Sequence, residues 1–127
     1  MGTLAAVTAT SFFPAKPLGG YGDGGAVLTD NKEFATLYRS IRSHGTGKDK
    51  YDIVRLGLNA RLDTLQAAIL LAKFEIFPDE IRARRELADF YDFQLAQYVA
   101  APARIPGANS SWAQYTIQCD NRDGLRA

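Results

Sequence analysis

With one cysteine, one histidine, one methionine and one tryptophan among 127 residues, the sequence has little material for several chemistries. Cys119 alone cannot form an intrachain disulfide or a C-x-x-C metal site, so no structural metal is expected. Such sparing use of cysteine suits a reducing compartment. No apolar run is long enough to span a bilayer. The opening "MGTLAAVTATSFF" has neither a basic flank nor a continuous apolar stretch. A signal peptide is therefore not expected, and the cytoplasm is the expected location. Charge of one sign is also missing. A net charge of +1 gives no field that would draw in nucleic acid or an anionic membrane. What is present is ordinary: 46% hydrophobic and 23% charged residues fit a globular domain of common size. There is no internal repeat and no low-complexity tract.

Residues 4–13, "LAAVTATSFF", read as a buried strand ending near Phe13. Pro14 and Pro17 flank Lys16 and forbid regular structure around it. "GAVLTD" predicts a second strand. Asp30 or Asn31 then caps a helix carrying Phe34, Leu37, Tyr38 and Ile41 at helical spacing, with Gly45 as its stop. A long helix is expected over about 60–98, capped by Asn59, with Leu62, Leu65, Ile69, Ala72 and Ile76 as its apolar stripe. Its second half carries Ile81, Leu87, Tyr91, Leu95 and Tyr98. Pro78 predicts a kink, or a stop and a restart at Asp79. "APARIPGANSS" is a connector, "WAQYTIQC" alternates as a strand, and "DNRDGLRA" starts a helix. The aromatic set Phe90, Tyr91, Phe93 and Trp112 reads as core. A strand this close to the first residue and a last element this short suggest a piece of a larger chain.

"FFPAKPLGGYGDGG" is the stretch most suggestive of chemistry. It is not a P-loop, because Lys16 precedes the glycines and no G-K-[ST] follows. Nor is it a dinucleotide loop: Gly20, Gly22, Gly24 and Gly25 spell G-Y-G-D-G-G, and a strand follows where a helix is needed. Two readings stay open on the residues alone. Lys16 is either a solvated loop lysine or an amine nucleophile held rigidly for Schiff-base chemistry. Ser11, five residues earlier, offers a hydroxyl to an anionic group or simply satisfies local backbone.

The segment "TSFFPAKPLGGYGDGGAVLTD" resembles the cofactor-lysine region of the DegT/DnrJ/EryC1/StrS family of nucleotide-sugar aminotransferases, with its S-F-x-x-x-K-x-L, then G-[DE]-G-G, then a strand. "RSHG" and "RLGLNARLDTLQAAILLAKFE" resemble the family's later blocks in order and spacing. The similarity covers about residues 8–120. The resemblance implies an α/β fold, part of the fold-type I aminotransferase architecture, and pyridoxal phosphate as cofactor. It divides the chain into the end of the large domain at 1–58, a linking helix or helix pair at 59–99, and the start of a small domain at 100–127. "RLDTLQAAILL" and "WAQYT" resemble in particular the subgroup that aminates a 3-keto UDP-2-acetamido-glucuronate in bacterial surface-polysaccharide synthesis, such as lipopolysaccharide O-antigen.

By that resemblance Lys16 bonds the cofactor and shuttles a proton, and Ser11 binds the cofactor phosphate. Asn59 reaches the phosphate of a partner subunit's cofactor, and Arg61 meets the sugar carboxylate from the neighbouring subunit. The implied assembly is a homodimer with shared active sites. His44 matches the family's H-G and is either a substrate-side residue or a helix C-cap. The family has an acidic residue where Asp23 stands, although a turn former explains it equally well. The implied substrates are a nucleotide sugar and an amino-acid donor, with glutamate the expected donor.

The ring nitrogen of such a cofactor needs an acidic partner. The 15 residues before Lys16 contain no Asp or Glu, so the isolated chain is expected to hold cofactor weakly and to be inactive. Two alternatives are carried forward. One is an aminotransferase for a 4-keto hexose on UDP or dTDP, for which losing Arg61 should not matter. The other is a non-catalytic, self-associating fragment indifferent to pyridoxal phosphate.

Overall fold

The computed structural model describes residues 4–126. Its elements run β1 (Thr8–Ser11), β2 (Gly25–Leu28), α1 (Lys32–Arg42), α2 (Thr64–Leu95) and α3 (Arg122–Arg126), an α/β order. They form two compact units that divide within α2, after Leu71.

In the first unit, β1 and β2 pair antiparallel with Thr8 opposite Leu28 and Ser11 opposite Gly25. The expected buried strand is shorter and only half-covered, because each strand has a single neighbour. α1 forms where its cap predicts. The Asn31 side chain accepts from the N–H groups of Glu33 (2.8 Å) and Phe34 (3.1 Å), two of the donors a helix start leaves unpaired. Thr29 fixes that cap, since its hydroxyl donates to Ala6 O (2.7 Å) and accepts from Asn31 N–H (3.1 Å). Phe34, Leu37, Tyr38 and Ile41 form the half-buried face of α1, as their spacing predicts.

α2 starts four residues later than expected. The carbonyl of Asp63 takes the first intrahelical bond, from Ala67 N–H (2.9 Å), so Asp63 holds the cap position, not Asn59. Arg61 accordingly lies outside the helix, not in its first turn. The helix runs unbroken through Pro78. A proline removes one N–H, and a helix already nucleated by the turns before it propagates past that gap. The covered face is also rotated from the expected stripe. Gln66, Ile69, Leu70 and Lys73 face inward, while Leu65 is 70% exposed and Ile76 is 53% exposed. The first half of α2 is apolar on nearly every side, so its pattern does not define one face.

The second unit packs around Ala88 of α2, which is 2% exposed. Arg104 bridges Asp89 (2.9 Å) and Asp92, and its guanidinium lies 4.5 Å from the centre of the Trp112 ring. The Tyr115 hydroxyl donates to Asp92 (2.5 Å), and the Trp112 and Tyr115 rings are 5.6 Å apart. The expected strand over 112–119 does not form. Trp112 takes φ +47°, its N–H turns to Ser110 Oγ (3.1 Å), and pairing shrinks to a single bridge between Ala100 and Gln118. Of the aromatic set read as core, Phe90, Tyr91 and Phe93 are exposed; Trp112 instead joins the Arg104 cluster.

The hydrogen bond from Tyr115, aided by Arg104, holds the Asp92 carboxyl below its ordinary range. Burial and the Asp92 carboxylate push the Tyr115 hydroxyl up to about 12. The signs differ. Asp92 contributes stability above its ordinary pKa of 3.8, lost as pH falls through the depressed value. Tyr115 contributes below its ordinary value of 10.0, lost as pH rises toward about 12. The near-UV circular dichroism of Trp112 and Tyr115 should therefore stay flat from about pH 5 to 9 and decay outside that window. A titration centred inside it would disprove this account of the cluster.

Candidate active site

The five residues singled out by sequence all lie in the first unit, on two structural pieces. The first piece is the loop between β1 and β2. Phe13 O accepts from Lys16 N–H (2.8 Å), a β-turn with Pro14 at its second position, where its fixed φ is favourable. Lys16 is thus held by backbone geometry at the end of a proline-set turn, with its side chain exposed. Phe12 closes the loop from inside: its N–H donates to Gly24 O (2.7 Å) and its carbonyl accepts from Gly20 N–H (2.8 Å). At Gly19 a Cβ would press on the carbonyls of Phe13 and Pro14, so the returning arm folds against the turn only because no side chain is there. Ser11 ends β1. Its Oγ accepts from Phe13 N–H (3.2 Å), which leaves its hydroxyl hydrogen for another acceptor.

The second piece is a strap, residues 53–61, laid across the end of α1. α1 ends with Gly45 N–H bonded to Ser40 O (2.8 Å) and His44 in the left-handed region at φ +63°. The strap takes two further carbonyls of that last turn. Leu58 N–H donates to Ile41 O (2.7 Å) and Ala60 N–H to Arg42 O (2.9 Å), while His44 N–H donates to Leu58 O (2.9 Å). So His44 serves in the cap through its backbone, and its ring is exposed. Asn59 is placed opposite Ser43 by an antiparallel bridge, and Arg61 Nε reaches Asn59 Oδ1 at 3.4 Å. Sequence reasoning missed the tie beneath the strap. Ser40, 8% exposed, donates to Thr46 O (2.6 Å) and accepts from the Arg55 guanidinium (2.5 Å).

The structure therefore brings Lys16 and Ser11 together on the hairpin, and His44, Asn59 and Arg61 together on the strap. Among the described residues no hydrogen bond joins one set directly to the other. A groove of about 950 Å³ between the hairpin and α1, lined by Ala9, Val27, Tyr38, Arg42 and Leu62 among others, includes none of the five. Among the described residues no group of His, Cys, Asp and Glu is placed to hold a metal ion. No described helix is long and apolar enough to cross a membrane.

This arrangement has close counterparts. The chain is 50% identical over 125 residues to the UDP-2-acetamido-2-deoxy-3-oxo-D-glucuronate aminotransferase of Pseudomonas aeruginosa, covering 98% of this chain and 34% of that protein. A DegT DnrJ EryC1 StrS aminotransferase from Brucella abortus superposes with a TM-score of 0.92 at 52% identity, over 94% of this chain and 32% of the other. NtdA from Bacillus subtilis, solved with bound cofactor PMP, superposes with a TM-score of 0.86 at 31% identity, over 99% of this chain and 30% of the other. The chain thus spans about a third of the length of the relatives it matches. The DegT/DnrJ/EryC1/StrS aminotransferase family model matches residues 1–127, so the chain belongs to that family.

Proposed function

We propose that this chain is the lysine-bearing segment of a pyridoxal-phosphate-dependent nucleotide-sugar aminotransferase. The reaction is transfer of an amino group from an amino acid, glutamate by preference, to the 3-keto position of a UDP-2-acetamido-glucuronate. The product belongs to bacterial surface-polysaccharide synthesis. One observation carries the reading: Lys16 stands on a proline-set turn, within a chain 50% identical to an aminotransferase of that name. The segments read as 1–58, 59–99 and 100–127 then belong to the large domain, the link and the small domain.

The donor set fits the cofactor. A primary amine and a hydroxyl with its hydrogen unassigned stand on one hairpin, one suited to an aldehyde carbon and the other to a phosphate oxygen. Bound pyridoxal phosphate supplies that aldehyde and a ring that draws electron density from the donor's Cα. Lys16 Nζ would hold that aldehyde carbon and, once displaced from it by the donor's amine, would be free to carry the proton that moves during amino transfer. The Ser11 hydroxyl would donate to the phosphate.

The strap set is suited to a second subunit's site. Asn59 Oδ1 is turned to Arg61, so its amide N–H groups are the part left for an anion. Arg61 uses Nε in that contact and keeps its two terminal nitrogens for a carboxylate, a planar two-point match. His44 lies beside them with its ring exposed, on the substrate side. Among the described residues no hydrogen bond joins the two sets directly, which is compatible with a homodimer in which each subunit's strap completes the other's site.

Borohydride reduction of the full-length protein after incubation with pyridoxal phosphate tests the assignment by peptide mapping. The pyridoxyl mass should be confined to Lys16. Equal labelling of Lys32, Lys48, Lys50 and Lys73 would show that no amine in this chain is singled out and would sink the reading.

A further inference from the structure

The glycine arm that follows Lys16 is held from a distant part of the chain. Gln66, in the first turn of α2, accepts from Tyr21 N–H through Oε1 at 2.8 Å, across 45 residues. The glycines on either side of Tyr21 make room for it. A Cβ on Gly20 would lie 2.9 Å from Gln66 Oε1, and one on Gly22 would lie 3.1 Å from Gln66 Nε2. Gly20 is buried, and its N–H donates to Phe12 O, the residue next to the Lys16 turn. The sequence of ties is continuous: Gln66 to Tyr21, Gly20 to Phe12, and Phe13 to Lys16. Gln66 also shares its chain segment with Asn59 and Arg61, and ties the hairpin loop to that segment by a side-chain hydrogen bond.

From this we infer that Gln66 is a positioning residue for Lys16. Its amide oxygen fixes the returning arm of the loop, and the arm in turn holds the lysine turn in place. The glycines at 20 and 22 are there to admit the Gln66 side chain, not to cradle a phosphate. What the placement of Lys16 is for rests on the function proposed above; the placement itself does not.

Amide hydrogen exchange and borohydride trapping in the full-length protein test this together. Gln66→Leu keeps the volume and removes the acceptor. Exchange at Tyr21, Gly20 and Lys16 should quicken about tenfold, as expected for the loss of one hydrogen bond, with Ala26 and Val27 in β2 unchanged. The fraction of pyridoxyl trapped on Lys16 should fall by a similar factor. Gln66→Glu keeps an oxygen acceptor, at a helix start that tolerates negative charge, and should restore both. Gly20→Ala should give the leucine phenotype with α2 unmutated, because its Cβ displaces Gln66 Oε1, and the double variant should be no worse than either single one. Faster exchange at Tyr21 with none at Lys16, or a trapped fraction that Gln66→Glu does not restore, would overturn the inference. Absence of trapping on Lys16 in the parent would sink the functional reading, while the exchange pattern still decides whether Gln66 places the turn.

Discussion

Lys16→Ala should lower amino transfer by the full-length protein by about 10²–10⁴-fold, the range for loss of a positioned proton-transfer group. The fold should be untouched. The bond that sets the turn is made by the backbone N–H of residue 16, which alanine keeps, and the lysine side chain is exposed. Far-UV circular dichroism and the exchange rate of the Tyr21 amide should therefore match the parent. Lys16→Arg should not rescue. Guanidinium stays protonated at any working pH and cannot supply a neutral amine. The measurement is chromatographic detection of the aminated UDP-sugar. A Lys16→Ala protein retaining a tenth or more of the parent rate would show that the catalytic amine is elsewhere.

What the sequence made legible follows from how local each signal is. The Lys16 turn is spelled by two prolines around one lysine, and the α1 cap by Asn31 ahead of an apolar face; both need only neighbours in sequence. The α2 start went wrong because two good caps compete four residues apart. Asn59 is drawn into the bridge with Ser43, a contact 16 positions away that no local rule foresees, and Asp63 takes the cap. The face of α2 went wrong for another reason. Pure periodicity favours Leu65 and Ile76, while the side that is covered carries Gln66, a polar residue whose partner lies 45 positions upstream. The strand expected at 112–119 alternates correctly, yet alternation cannot reveal the left-handed Trp112. The Ser40–Arg55 tie and the Gln66 tie were invisible for the same reason: each carries a side chain to a group in a separate segment, and neither residue type announces a partner.

The strap depends on two glycines set back to back, and Gly57→Ala should therefore be strongly destabilising. Its Cβ would overlap Gly45 N, the His44 carbonyl carbon and Gly45 Cα. All three are backbone atoms, so no side-chain rotation can relieve the contact. Gly45 cannot yield either, because it sits at φ +76° with its own Cβ position filled by the Arg55 carbonyl. The strap must lift, which breaks the bonds from Leu58 N–H to Ile41 O and from His44 N–H to Leu58 O. Overpacking at about 1–3 kcal/mol and two hydrogen bonds at about 1 kcal/mol each give a loss of about 3–5 kcal/mol. Gly107→Ala is the control. Gly107 has φ +78° but nothing within 4 Å of the added Cβ, so only the conformational cost of about 1–2 kcal/mol applies. Exchange at the Leu58 and Ala60 amides should quicken by more than about a hundredfold in Gly57→Ala and stay unchanged in Gly107→Ala. Under the proposed function the first variant also loses substrate and cofactor binding through Asn59 and Arg61, although neither residue is altered. Parent-like protection of Leu58 in Gly57→Ala would mean the strap has room to move, and Asn59 and Arg61 would then owe their placement to something other than the end of α1.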